Sequence, residues 1–279
     1  MRLAVIEPVE KTGMRNAWGR VATAYDEMWA ERTSLFTEAG LDLLAPAPDA
    51  TGLDVGCGPG HTAVVLARRL THGTTTGVDF APSMIERARS RWRGIPRLDF
   101  DLDDAEHLSR ADASTDIVTS TFTLMYCYDA LAAVGHVARV LRPGGRALLV
   151  VWGPHQNVWW SPVIDIIERR ASYYSSVCPM MFFYGLPGVL PRMLEQVGLD
   201  TSDAVTLEAP MRYADVDQAV SAAVLAGPLA GLFQNRLDDD AKAAAWDEMS
   251  ARVTAVATDD SDGIAVPAAA VAVVARKPG

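Results

Sequence analysis

The sequence predicts an α/β protein built on a doubly wound, mostly parallel sheet, and three observations carry that expectation. An apolar run, Leu53-Asp54-Val55, enters a glycine-rich turn, Gly56-Cys57-Gly58-Pro59-Gly60. A second strand-like run, Gly77-Val78-Asp79, ends on a carboxylate about 20 residues later, the spacing of one strand–helix–strand unit. Further short apolar runs, each closed by turn or helix-start residues, then recur toward the C-terminus.

Taken in order, Met14 to Ala30 carries Trp18, Val21, Tyr25, Met28 and Trp29 at helical spacing, so it reads as an amphipathic helix. The glycine turn opens a helix over Thr62 to Arg69. Pro82 suits the start of another, because its missing N–H would be unpaired in the first helical turn. Leu98 to Leu102 reads as the third strand and Thr115 to Thr121 as the fourth. Arg142-Pro143-Gly144-Gly145 punctuates the approach to a fifth strand, Ala147 to Trp152. Ser161-Pro162 marks a helix start with Val163, Ile166, Ile167 and Tyr174 on one face. Ala204 to Ala209 reads as a strand, Ala214 to Thr258 as helical with an acidic outer face, and Ile264 to Ala275 as the last strand.

The turn residues point to a nucleoside. Glycine lets the backbone turn sharply and approach a ligand with no Cβ in the way. The helix that follows presents unpaired N–H groups to an electron-rich ligand. A carboxylate at Asp79 can accept hydrogen bonds from both hydroxyls of a ribose. The dinucleotide fingerprint G-x-G-x-x-G needs its last glycine where this chain has His61. No G-x-x-x-x-G-K-[ST] run for a nucleoside triphosphate is present.

These motifs resemble those of the class I S-adenosylmethionine (SAM) dependent methyltransferases, especially the ubiquinone/menaquinone-biosynthesis-like branch that acts on small molecules. Asp79-Phe80-Ala81-Pro82-Ser83-Met84 resembles the family's second-strand signature. Leu98 to Glu106 resembles its third strand and "Asp-Ala" turn, and Arg139 to Arg146 its turn before the fifth strand. Leu108-Ser109 replaces the usual Leu-Pro, and Thr115 the aromatic of the fourth strand. The resemblance is strong over residues 15 to 152 and holds only in outline beyond.

It implies a Rossmann-like, seven-stranded sheet with an antiparallel last strand slotted between the fifth and sixth, plus helical cap segments. It implies SAM as cofactor, held by Tyr25, Asp54, Gly56, Cys57, Gly58, His61, Asp79, Phe80, Met84, Asp104, Ala105 and Thr121. In the family's pattern Phe80 and Met84 flank the adenine and ribose, Asp104 accepts the adenine amine (with Asp103 next to it as the rival), and the strand end near Thr121 and Phe122 meets the methionine half. The bland readings differ: the glycine run could be only a tight connection, and Cys57 only a small filler.

Composition narrows the function classes. The net charge of −10 argues against a nucleic-acid substrate, which needs clustered Lys and Arg. Arg87, Arg89, Arg91 and Arg93 read instead as a solvated helix end complementing the dipole. Three separated cysteines, Cys57, Cys127 and Cys178, form no disulfide framework, so a reducing cytoplasm is expected. No secretory leader pattern opens the chain, and its apolar stretches are too short for a membrane span. No His or carboxylate pattern argues for a metal. A small-molecule substrate is the expected partner, with a homodimer left open.

The expected organisation is an N-terminal helical cap (1–50), a SAM-binding core (51–152), an aromatic-rich lid (153–186), and the remainder of the core (187–279) with a helical insertion at 214–258. Trp152, Trp159, Trp160, Tyr173, Phe182 and Phe183 in and before the lid suggest an apolar, planar pocket, though such residues also serve as core. His155, just after the fifth strand, is the candidate general base, ahead of Asp165 and Glu168. The expected activity is in-line methyl transfer to an apolar or aromatic metabolite. The alternatives are a non-methylating reaction such as cyclisation on the same fold, or a non-catalytic SAM-binding module.

Overall fold

The computed structural model describes residues 11–172, 180–225 and 230–279. Its centre is a parallel run of five strands: β1 (Thr51–Val55), β2 (Thr74–Asp79), β3 (Leu98–Leu102), β4 (Thr115–Thr121) and β5 (Leu141–Trp152). They lie in the order β3-β2-β1-β4-β5, continued by β9 (Gly263–Arg276), which is antiparallel to β5. The reversal of order between β1 and β4 is the topological switch point where such sheets bind ligands.

Nine strands occupy seven positions among the described residues. β6 (Asp200–Thr201) and β7 (Val205–Tyr213) pair successively along one edge of β9. β8 (Thr258–Asp260) pairs with residues of β9 that β7 also pairs with, so it lies on the other edge, beyond β5. The seven-position sheet with β9 slotted inside it therefore matches the expectation, and the two extra strands are fragments of those positions. β7 extends past Ala209 through Pro210, which faces Pro267 of β9. That rung carries no main-chain donor from either residue, and an outer strand is where proline is tolerated.

The helices follow local chemistry. α1 (Lys11–Tyr25) runs through the π-helical turn Asp26–Ala30 into α2 (Glu31–Leu44). α3 (His61–Arg69) starts at the glycine turn, and α4 (Pro82–Arg91) starts on its proline. Asp129 caps α5 (Ala130–Val140) by accepting from the Ala132 N–H at 2.9 Å. α6 (Ser161–Ala171), α7 (Met180–Phe183) and α8 (Val189–Gln196) follow β5. α9 (Val216–Leu225), α10 (Ala230–Arg236) and α11 (Asp239–Val256) occupy the connection from β7 to β8.

Leu148, Leu149, Val150 and Val151 are fully buried, the continuous apolar run expected of a strand covered on both faces. No single described helix is long and apolar enough to cross a membrane.

Candidate cofactor site

The carboxyl ends of β1, β2 and β4 meet at one cleft. Its floor is set by the glycine turn. Gly56 has φ +74°, and a Cβ there would fall 2.2 Å from the Thr123 hydroxyl oxygen, so only glycine admits this crossing of β1 under the loop after β4. At Gly58 a Cβ would meet only the Tyr25 ring, at 3.8 Å, because the space above it is the cleft.

Asp79 closes the turn from below. Its Oδ2 accepts from the Gly58 N–H at 3.0 Å and its Oδ1 from the Ala81 N–H at 2.9 Å. Burial pushes this carboxyl up to about 6, against the downward pull of the N–H groups of Ala81, Gly58 and Phe80. It still lines the cleft, and each oxygen retains acceptor capacity beyond its one N–H partner. Phe80 and Met84 add an apolar wall beside it.

Deeper in the sheet, Asp54 is fully buried. The Thr119 hydroxyl donates to its Oδ1 at 2.7 Å, while Oδ2 is shielded with no partner. Burial pushes its carboxyl up to about 7, Thr119 pulls it down, and the Asp79 charge adds to the rise.

At the far end Asp104 and Ala105 line the cleft beside Asp103 and Glu106. Asp103 is the structural member of the pair: it accepts from the N–H groups of Asp104 and Ser109 and from the Ser109 hydroxyl. Asp104 caps the next turn through the Glu106 N–H, and its Oδ2 meets the Lys11 ammonium at 2.6 Å.

Several sequence-predicted residues lie elsewhere. The Cys57 side chain points away from the cleft and packs against Gly77 and Phe100, and burial pushes its thiol up. The His61 ring also turns out of the cleft, with Nε2 2.7 Å from Asp26 Oδ1 and its edge against Trp92. His155 lies in a separate groove with Glu208 and Arg252, 3.3 Å from Asp165 and half exposed, so it does not face the cofactor cleft.

The aromatic segment is placed differently too. Trp152 stacks on Phe122 at 4.0 Å between centroids, and Trp159 stacks parallel to Trp29 at 6.2 Å. Trp152, Trp159, Trp160 and Phe182 are buried in the main core, and Phe183 is exposed. Trp29 covers Trp152, Trp159 and Trp160, Phe36 adds to the cover on Trp152, and Phe182 packs on Trp160, so none of these four walls the cleft. Tyr173 lies outside the described residues.

Sequence reasoning missed Trp18, Thr123, Tyr126, Cys127 and Glu106, which form the wall together with Phe122 and Asp103. The Trp18 ring meets Tyr25 and Tyr126 edge to face at 5.3 and 4.8 Å. Phe122 holds φ +54°, a costly conformation for a bulky residue and one that concentrates at functional sites. Only its position just past the fourth strand signalled it. Tyr25, Gly56, Gly58, Asp79, Phe80, Met84, Asp104, Ala105 and Thr121 do line the cleft together.

A glycine turn at the switch point, a carboxylate beneath it and apolar faces beside it define a Rossmann-like nucleoside-cofactor protein. Residues 53–145 match the family described as "Methyltransferase domain". A malonyl-[acyl-carrier protein] O-methyltransferase from Methylovorus sp. (strain MP688) is 34% identical over 52% of this chain and 52% of its own length. A ubiquinone/menaquinone biosynthesis C-methyltransferase from Desulfotalea psychrophila is 32% identical over 51% of this chain and 51% of its own. The YcgJ protein from Bacillus subtilis superposes with a TM-score of 0.56 at 22% identity, covering 88% of this chain and 99% of that one, and so shares the fold. The chain spans about half the length of the curated relatives it matches. The similarity to methyltransferases thus centres on residues 53–145, the stretch that holds the glycine turn, Asp79 and Asp104.

The site fits that cofactor on its own terms. Asp79 offers acceptors for ribose hydroxyls, Phe80 and Met84 an apolar face for adenine, and the Gly58 cradle space that a Cβ would invade.

Proposed function

We propose that the chain is a SAM-dependent methyltransferase acting on a small, apolar or aromatic metabolite. The observation that carries this reading is the cleft itself, in which the Asp79 carboxylate under the glycine turn shares one space with the Trp18, Tyr25, Phe122 and Tyr126 rings. When bound, SAM supplies an activated methyl group and its own leaving group. Asp79 holds the ribose, and Asp104 with Ala105 reads the adenine edge. Thr121 and the glycine turn orient the methionine end. The aromatic wall excludes water and presents apolar faces to an acceptor.

Alignment is the main demand of an in-line displacement, and proximity can contribute about 7–11 kcal/mol in favourable cases. Among the described residues no histidine lines the cleft, so this reading gives His155 no role as a base. An acceptor that is nucleophilic without a protein base suits such a site.

The test is incubation of the purified protein with methyl-labelled SAM and an extract of its host, followed by mass spectrometry. A labelled small molecule appearing with S-adenosylhomocysteine (SAH) establishes transfer and identifies the acceptor. Label found on protein or nucleic acid instead refutes the small-molecule reading.

A further inference from the structure

One carboxylate outside the cleft ties three of its walls together. Asp26 opens the π-helical turn directly after Tyr25, and its side chain is fully shielded from solvent. It faces His61 Nε2 at 2.7 Å, Arg87 Nε at 2.5 Å and Arg91 at 3.5 Å. The contacts reach α4, whose Met84 lines the cleft, and the start of α3, just after the glycine turn that floors it. Tyr25 ends α1; His61 begins α3, next to the glycine turn; and Arg87 follows Met84 by one turn on α4. Around the cluster, Glu27 reaches Arg87 at 3.3 Å and Arg91 lies over the Trp92 ring.

Burial lowers the His61 pKa, and because a carboxylate can only accept, Nε2 is the donor in this contact. A surface ion pair would contribute little, but a buried carboxylate stripped of partners is strongly penalised, so the four groups stay together or separate together. Short π-helical turns inside helices also concentrate at functional sites. This one begins where the chain passes from Tyr25 in the cleft to Trp29 in the core.

We propose that Asp26 is a positioning residue for the cofactor: by gripping His61, Arg87 and Arg91 it keeps the Tyr25 end of α1 seated against the glycine turn and retards release of bound SAM. This rests on the SAM reading above. It also gives His61 a role, as the anchor for the helix that covers the turn.

The experiment compares wild type with Asp26→Asn, which keeps the shape and removes the charge, using SAH as the probe. Stopped-flow fluorescence measures SAH release, calorimetry measures affinity, and hydrogen exchange follows residues 11–30 with and without SAH. SAH release in the variant is expected to be roughly tenfold faster, within the usual range of coupling between sites. Protection conferred by SAH on 11–30 is expected to fall while that on β4 and β5 persists. A variant with a lower Tm but unchanged release and protection overturns the proposal, since a purely structural staple would give that result. If Asp26→Asn does not fold, Arg87→Gln is expected to shift release in the same direction by a smaller factor, and unchanged release there overturns the proposal equally. Wild type that fails to bind SAH refutes the cofactor reading instead.

Discussion

The Thr37 hydroxyl donates to the Thr121 hydroxyl at 3.1 Å, joining α2 to the tip of β4 beneath the cleft. Thr37 is fully buried and also lies 3.4 Å from Thr62 on α3. Because Thr37 gives its proton to Thr121, Thr62 must be the donor in the other contact. The proton of Thr121 is then left for another acceptor, on a residue that lines the cleft. Thr37→Val, which keeps the shape, is expected to weaken SAM binding two- to tenfold, from a hydrogen bond of roughly 0.5–1.5 kcal/mol. Titration calorimetry decides it, and equal affinity in the two proteins would detach Thr37 from the ligand.

Asp79 should be the more sensitive position. Hydrogen bonds to a charged group contribute roughly 1.5–3 kcal/mol each, so Asp79→Ala is expected to weaken SAM binding at least about tenfold. The same change strands the Gly58 and Ala81 N–H groups, so the glycine turn should lose amide protection as well. Unchanged affinity by calorimetry would sink the ribose role.

Stability should depend on pH through the two buried aspartates. Both carboxyls are raised in the folded state, Asp54 to about 7 and Asp79 to about 6, from 3.8. Between those values the folded chain binds more protons than the unfolded chain, so stability is present at low pH and is lost as pH rises through the folded pKa. The slope for one such group is at most about 1.4 kcal/mol per pH unit. Asp54→Asn removes one of the two terms. Thermal melts from about pH 5 to 7.5 should therefore show wild type losing Tm relative to Asp54→Asn. Parallel curves for the two proteins would show that Asp54 does not titrate there.

Two substitutions separate core from cleft. Trp152→Ala is expected to cost about 3–5 kcal/mol of stability, the usual range for a truncated core aromatic, seen as a lowered denaturation midpoint. His155→Ala should leave SAM affinity within about twofold of wild type, because the ring sits in the other groove. A tenfold loss on that change would restore His155 to the site.

What the sequence disclosed and what it hid follow from the range of the forces involved. The glycine turn and Asp79 were legible because both report local backbone geometry: a turn that forbids side chains and a strand end at one unit's spacing. His61 and Cys57 sit in the same turn, yet their side-chain directions are set from outside it. Asp26, 35 positions away, draws His61 outward, and the neighbouring strands enclose Cys57 beside Gly77 and Phe100. The aromatic segment shows the same limit. Apolar patterning marks Trp152 and Trp160 as needing cover, but whether a ligand or the leading helices provide it depends on Trp29 and Phe36, remote in sequence. Trp18 was visible as part of an amphipathic helix, but its packing on Tyr126 across the cleft joins two distant segments. The extension of β7 through Pro210 was hidden because proline normally signals a strand's end.

The prolines that face each other across β7 and β9 bear on how this chain behaves in a crowded solution. An open sheet has two outer strands whose unpaired main-chain groups can recruit a strand from another molecule. On one side Pro210 removes a donor from the row a newcomer would read, and Glu208 and Arg212 flank it with opposite charges. On the other, β3 carries Asp99 and Asp101, and Arg110 is drawn to Asp101 at 2.6 Å. Both borders thus carry the kind of feature that discourages templating by a strand of another molecule.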